Sequence, residues 1–193
     1  MNNPPASPEP KAPNGTLLAI VGTDHHPFDR LVGWMQEWAD EHPHVHVIVQ
    51  YGSSTALRHD SPVDGRKMLT RGELDDLLLA ADVIVAHGGP ATISEIRARG
   101  LVPIVVPRDP DLGEHVDGHQ QRFARRMGEV DFVKTRETRS ALFDTVNRAL
   151  DNPEWLRLDT TAERARRQSA IAATTAIFDE LMAHPRRLRA RRR

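Results

Sequence analysis

Short, unbroken apolar runs recur along the chain, and between them the apolar positions open to a spacing of three and four. Residues 16–21 (TLLAIV) run into Gly22-Thr23, 45–49 (VHVIV) lead on to Gly52, and 81–86 (ADVIVA) run into His87-Gly88-Gly89. Residues 102–106 (VPIVV) meet Pro107, and a weaker run follows at 130–133 (VDFV). Near-continuous apolar strands suit a parallel sheet covered on both faces. Met68-Leu69 reads as one further short strand. The intervening segments carry helical periodicity. Phe28, Leu31, Val32, Met35 and Trp38 share one face. Thr70-Arg-Gly-Glu73 is a capping-box pattern that opens a helix through Leu79, since the threonine caps a free N–H and the glutamate reaches back. Further helices are expected over 93–99, closed by Gly100, over 119–127, over 139–150 and, last, over about 162–183. Strands alternating with helices in this way predict an α/β fold, a doubly wound parallel sheet.

Composition narrows the picture. A chain of 193 residues accommodates one domain. Residues 1–14 are Pro-rich and poor in large apolar side chains, so they cannot offset the entropy of ordering and are expected to be a disordered tail. Residues 184–193 form a basic, Arg-rich tail, which leaves 15–183 as the domain. The charges nearly cancel, with 26 basic residues against 27 acidic. Six of the arginines lie in the last eight residues, so the body is acidic and a nucleic-acid-binding surface is not expected. The absence of cysteine excludes disulfides, thiolate metal sites and a cysteine nucleophile. No apolar stretch reaches the roughly 18–20 residues of a membrane span, and the N-terminus lacks the pattern of a secretory signal. A cytoplasmic protein is expected.

In a doubly wound sheet, ligands bind beyond the carboxyl ends of the strands. Those ends are where this sequence places its glycines, hydroxyls and histidines: Gly22-Thr23-Asp24-His25-His26, Gly52-Ser53-Ser54, His87-Gly88-Gly89 and Arg108-Asp109. All are expected along one rim. In His87-Gly88-Gly89-Pro90-Ala91-Thr92, the glycines permit close backbone approach and Pro90 suits the first helical position. The free N–H groups and dipole of such a helix start favour an anion such as a diphosphate, although the same turn also serves as a plain strand-to-helix connection. Glu95, about one and a half turns further on, has the reach to accept from both hydroxyls of a ribose, or is ordinary solvated surface. Asp117-Gly118-His119-Gln120 offers donors and acceptors suited to sugar hydroxyls, or an N-cap followed by a polar face. His25 and His26 are candidates for a base or for cleft-lining groups. His42, His44 and His46 alternate along the chain and are read as surface histidines. Asp109-Pro110-Asp111 fits an Asp-x-Asp metal pattern but is read as a loop, and no metal site is assigned. Ser53-Ser54 lacks the flanking glycines of a nucleophile elbow.

Taken in order, VGTDHHPFDRLV, QYGSS, ADVIVAHGGPATISE, GLVPIVVPRD and DGHQ resemble the C-terminal domain of family 28 glycosyltransferases, over about residues 16–134. The resemblance is strongest to small, stand-alone donor-binding subunits of two-part enzymes that act on lipid-linked or polysaccharide acceptors. It implies a Rossmann-like domain, the C-terminal half of a two-domain GT-B enzyme, with a UDP-sugar as substrate and no cofactor. It implies that Gly88, Gly89 and Thr92 face the diphosphate beside His87, that Glu95 holds the ribose, and that His119 and Gln120 contact the donor sugar. Gly22, Thr23, Ser53 and Ser54 would line the cleft near the phosphates, and Met68 and Leu69 would touch the base. Pro90 and the long loop over 109–116 depart from the family pattern. Inverting, metal-independent hexosyl or N-acetylhexosaminyl transfer follows from the resemblance. So does a membrane-anchored partner that supplies the acceptor side, with the last helix as its docking element. The Arg-rich tail is read from its charge as a solvated tail first, then as a contact for anionic lipid at the inner membrane face, or as a contact for the partner. Two other functions fit the same residues: a non-catalytic nucleotide-sugar-binding scaffold, and a sugar-nucleotide epimerase of related fold.

Overall fold

A computed structural model of the chain describes residues 15–158. The helix expected over 162–183 and both tails lie outside the described residues. Six parallel strands form a single sheet: β1 (Thr16–Ile20), β2 (His46–Gln50), β3 (Asp64–Arg66), β4 (Val83–Ala86), β5 (Ile104–Val105) and β6 (Lys134–Thr135). Their order is β3-β2-β1-β4-β5-β6. The chain winds outward from β1 in one direction, then returns to the centre at β4 and winds the other way. The topological switch therefore falls between β1 and β4, where two loops diverge and leave a crevice.

Five helices connect the strands: α1 (Asp29–Glu41), α2 (Arg71–Ala80), α3 (Pro90–Ala98), α4 (His119–Glu129) and α5 (Arg139–Asp151). Side chains alternate across a strand, so each central strand needs apolar residues on both faces. Leu18, Ile20, Ile48, Ile84 and Ala86 pack with Leu78, Ala81, Ile96 and Leu101 on the face covered by α2 and α3. That side continues to α4 through Ile93, Val105, Ala124 and Val133. The interleaved Leu17, Ala19, Val47, Val49, Val83 and Val85 are equally buried. Their face is served by α1 and α5, which are joined by a hydrogen bond of 2.9 Å from Trp38 Nε1 to Asn147 Oδ1.

The expected strand at Met68-Leu69 is instead Asp64–Arg66, immediately upstream. An edge strand with half-exposed positions has no need of an apolar run, so β3 carries none, and Met68 and Leu69 lie just past its carboxyl end. The run at 130–133 is likewise not a strand. It closes α4, with Phe132 N donating to Met127 O at 2.8 Å and Asp131 at φ 58°, and pairing begins one residue later at Lys134. The expected capping box is present: Thr70 Oγ1 accepts from Glu73 N, and the Glu73 carboxylate accepts from Thr70 N. His42 stacks on Trp38 with its ring nitrogen on Trp38 O at 2.8 Å, closing α1 rather than joining His44 and His46 in a ligand set.

Candidate functional site

Strand register sets the site. Ile20 of β1 pairs with Gln50 of β2 on one side and with Ala86 of β4 on the other. The segments that leave these strands thus start side by side. Between them opens a cleft of about 420 Å³, lined by Gly22, Thr23 and Asp24 after β1, Gln50 at the end of β2, Met68 and Leu69 after β3, and Leu74 of α2. His87, Gly89, Pro90, Ala91 and Thr92 line its second wall, and Gln120 of α4 closes one end.

The walls differ in chemistry. Ile20, Met68, Leu69 and Leu74 form an apolar ledge, with Met68 exposed, suited to one face of a flat ring. The start of α3 lines the same cleft. Its N-cap is Gly89 and its first residue Pro90. The N–H groups of Ala91 and Thr92 sit in the first turn, where a helix offers them no carbonyl partner. A ligand with negative charge meets unpaired donors and the positive end of the helix dipole there.

His87 is the spacer between the two walls. Gly89 N donates to its Nδ1 at 3.1 Å, which leaves the proton of the neutral ring on Nε2, with Thr92 Oγ1 3.3 Å away as acceptor. The ring fills the space that side chains at two glycines would need. A Cβ on Gly22 would lie 2.6 Å from His87 Nε2, and one on Gly89 would lie 2.2 Å from His87 Cε1. Gly22 also has φ 86°, which only glycine adopts without strain. Burial first, and then the nearby Arg108 charge, push the His87 pKa down to about 4, although Gln120 opposes the shift. His87 is therefore a neutral hydrogen-bonding group at neutral pH.

The first loop is held from beneath. The buried Gln50 accepts from Gly22 N at 3.0 Å through Oε1 and donates to Gly22 O at 3.0 Å and Lys67 O at 3.2 Å through Nε2. One side chain thus fixes the exits of β1 and β3. Asp24 accepts from His26 N at 2.8 Å and from His26 Nδ1 at 2.6 Å. Burial would raise its pKa, but those hydrogen bonds and the Arg108 charge outweigh it and hold the carboxyl at about 2.

Of the residues singled out in the sequence, Gly22, Thr23, Met68, Leu69, His87, Gly89, Thr92 and Gln120 converge on this cleft. Others do not line it. Gly88 is buried against α4, where a Cβ would meet Gln120 Cβ at 3.1 Å, so it admits the helix rather than a ligand. Ser54 is buried and its Oγ accepts from Phe28 N at 2.8 Å, a bond that shapes the turn into α1. Ser53 is exposed. The Glu95 carboxylate is engaged by Arg71 of α2. His119 is exposed and bound to Asp117, 2.7 Å from Nδ1 to Oδ2. His25 is exposed, and His26 stands at the mouth on Asp24. Asp24, His25 and His26 also come close enough to share an ion. Asp109 Oδ1 accepts from Asp111 N at 3.0 Å and caps a short turn, as a loop residue does. Arg108 is inside the protein rather than on the rim. Asp24, expected on the rim, and Gln50, first residue of the QYGSS segment, carry no assigned role in the sequence reading. Gln50 is the polar residue that ends an apolar strand.

Residues 16–175 match the model of the glycosyltransferase family 28 C-terminal domain. The chain belongs to that family. A Pseudomonas entomophila UDP-N-acetylglucosamine–N-acetylmuramyl-(pentapeptide) pyrophosphoryl-undecaprenol N-acetylglucosamine transferase is 33% identical over 100 residues, 51% of this chain and 27% of that enzyme. The same enzyme of Thermoanaerobacter sp. is 26% identical over 106 residues, 54% of this chain and 28% of its own. The match to this family 28 chain thus spans little more than a quarter of each relative's length. Among solved structures, the calicheamicin glycosyltransferase CalG4 superposes with a TM-score of 0.55 at 19% identity, covering 94% of this chain and 44% of that one. The kitacinnamycin glycotransferase gives 0.54 at 18%, covering 79% and 39%. These likenesses show the fold: the same α/β arrangement recurs in less than half of each of those longer chains. No helix among the described residues is long and apolar enough to cross a membrane.

Proposed function

We propose that this family 28 chain is the donor-binding half of a glycosyltransferase. It takes a UDP-sugar and transfers a hexosyl or N-acetylhexosaminyl group, with inversion and without a metal, to a lipid-linked or polysaccharide acceptor. The observation that carries this reading is the cleft at the β1/β4 switch point, which is lined both by apolar residues suited to a base and by the N-terminal turn of α3 suited to a diphosphate. The departing UDP gains negative charge as the sugar bond breaks. Donors fixed in place stabilise that charge without reorganising, which lowers the barrier to transfer. The attacking hydroxyl comes from the opposite face of the sugar and needs a base. Within this proposal the acceptor and its base belong to a membrane-anchored partner at the cytoplasmic face. Residues 184–193 provide the complementary charge for anionic lipid.

Calorimetry on the folded chain tests the donor site. UDP binds, and Glu95→Ala weakens it by about 1–3 kcal/mol if the carboxylate leaves Arg71 for the ribose hydroxyls. No heat with any nucleoside diphosphate refutes the reading. Transfer at full rate by this chain without a partner refutes the two-part arrangement and leaves the donor site standing.

A further inference from the structure

Beneath the first loop of the cleft lies a side chain that the proposed reaction has not used. Arg108 follows β5 and is 1% exposed, so its guanidinium sits inside the protein. Nη1 donates to His26 O at 2.8 Å and to Glu114 O at 2.9 Å, and Nη2 donates to Val21 O at 2.9 Å. Every strong bond goes to a carbonyl. Nε is buried without a partner. The two carboxylates nearby are bonded elsewhere. Glu114 accepts from Arg30 Nε at 2.9 Å, from Arg30 Nη2 at 2.8 Å and from Asp109 N at 2.8 Å. Asp24 is held by His26. A buried cation ordinarily demands a directly bonded anion, because removing it from water costs several kcal/mol.

Two of the three carbonyls bracket the loop that forms the first wall of the cleft. Val21 precedes Gly22-Thr23-Asp24 and His26 follows them, while Glu114 belongs to the neighbouring loop. A planar fork spans both ends of that segment at once, which a lysine ammonium on its single stem does not. Arg108 thus fixes the curvature of the Gly22–Asp24 wall. Its charge is felt on both sides of the opening, since it lowers the pKa of Asp24 at the mouth and of His87 at the back.

Resting on the donor-site reading above, we propose that Arg108 is a positioning residue for the diphosphate of the nucleotide. It holds the Gly22–Asp24 loop against the phosphates and lends them a buried positive charge without touching them.

Binding of UDP and uridine to the full chain, measured by calorimetry and protein-observed NMR, separates this role from packing. Uridine occupies the base ledge but carries no phosphate. Arg108→Met should lower UDP affinity at least about tenfold while uridine stays within about twofold. Arg108→Lys, which keeps the charge and loses the fork, should recover part of the UDP affinity. Equal losses for both ligands mean that Arg108 only supports the fold, and unchanged UDP affinity means that it does nothing for the site. Either result overturns the proposal. If the methionine variant does not fold, the lysine variant decides by the same criterion: UDP weakened with uridine retained supports the role, and any other pattern overturns it. Inorganic pyrophosphate distinguishes this failure from failure of the nucleotide assignment. A wild-type chain that binds pyrophosphate in an Arg108-dependent way but not UDP refutes the uridine-nucleotide reading alone. A chain that binds neither refutes both.

Discussion

The neutrality of His87 has a cost that appears on acidification. Its pKa falls from 6.5 in an unfolded chain to about 4 in the folded one. Between those values the unfolded chain binds a proton that the folded chain refuses, so stability rises with pH in this window and is lost as pH falls from about 6.5 to about 4. The full shift corresponds to about 3 kcal/mol at about 1.4 kcal/mol per pH unit. Between about pH 7 and about pH 5 the linkage integral gives about 2 kcal/mol. The ring keeps some exposure to the cleft, and solvent screening reduces the expected loss to about 1–2 kcal/mol. His87→Asn places an amide oxygen near the position of Nδ1, where it still accepts from Gly89 N but cannot titrate. Urea unfolding of both proteins at the two pH values isolates the effect, because the other nine histidines are common to both. The wild type should lose about 1–2 kcal/mol more than the variant. Equal losses would mean that His87 is not held neutral and that the account of the Gly22–His87–Gly89 sandwich is wrong. Asp24 does not contaminate this window. Its depressed pKa gives stability that is complete above 3.8 and is lost only as pH falls through about 2.

Gly22→Ala combines a left-handed φ of 86° with a Cβ 2.6 Å from His87 Nε2. Backbone strain and overpacking together should cost about 2–4 kcal/mol in urea unfolding and abolish UDP binding, and an alanine tolerated with full affinity would contradict the close approach. Thr70→Ala removes the cap of α2 and should cost about 1 kcal/mol in the same assay, with no change in m-value. Arg71→Ala frees the Glu95 carboxylate, so UDP affinity by calorimetry should rise about two- to fivefold if that carboxylate takes the ribose. A fall in affinity would instead mean that Arg71 itself touches the nucleotide.

The fold was legible because the central strands leave no choice. Leu17 to Val21 and Val83 to Ala86 are buried on both faces, and a near-continuous apolar run bounded by glycine fits little else. Legibility fails where burial does. β3 has the sequence Asp-Gly-Arg and sits at the edge of the sheet, so its pairing with Ile48–Gln50 is written in β2 rather than in itself. β6 is two polar residues held against α4 through Thr135 Oγ1, which donates to Ala124 O at 2.7 Å. Periodicity carries no trace of such a bond.

The cleft divides along the same line. Backbone features were readable because glycine and proline have few uses: Gly22, Gly89 and Pro90 announce a positive φ, a close approach and a helix start. The polar side chains that organise these features were not readable, because a polar residue's partner is set by the tertiary fold. Gln50 could as well have faced solvent at the end of β2. Arg108 resembled a rim residue, yet the fold carries it beneath the loop it appeared to flank. Glu95 and His119 show the converse, for each has a plausible ligand-binding position in the sequence and a charged neighbour in the free protein. Whether those neighbours are displaced is a question of competing affinities. An exposed ion pair of the Arg71–Glu95 kind contributes little net stability, so two ribose hydroxyls bonded to the carboxylate in a closing cleft are enough to exchange it. Arg108 faces no such competition, because nothing in the described protein offers its Nε a better partner. On the proposed donor-site reading, the residues expected to exchange partners for a ligand are therefore the loosely paired ones on α2, α3 and α4, and the one expected to hold the first wall in place is the arginine buried under it.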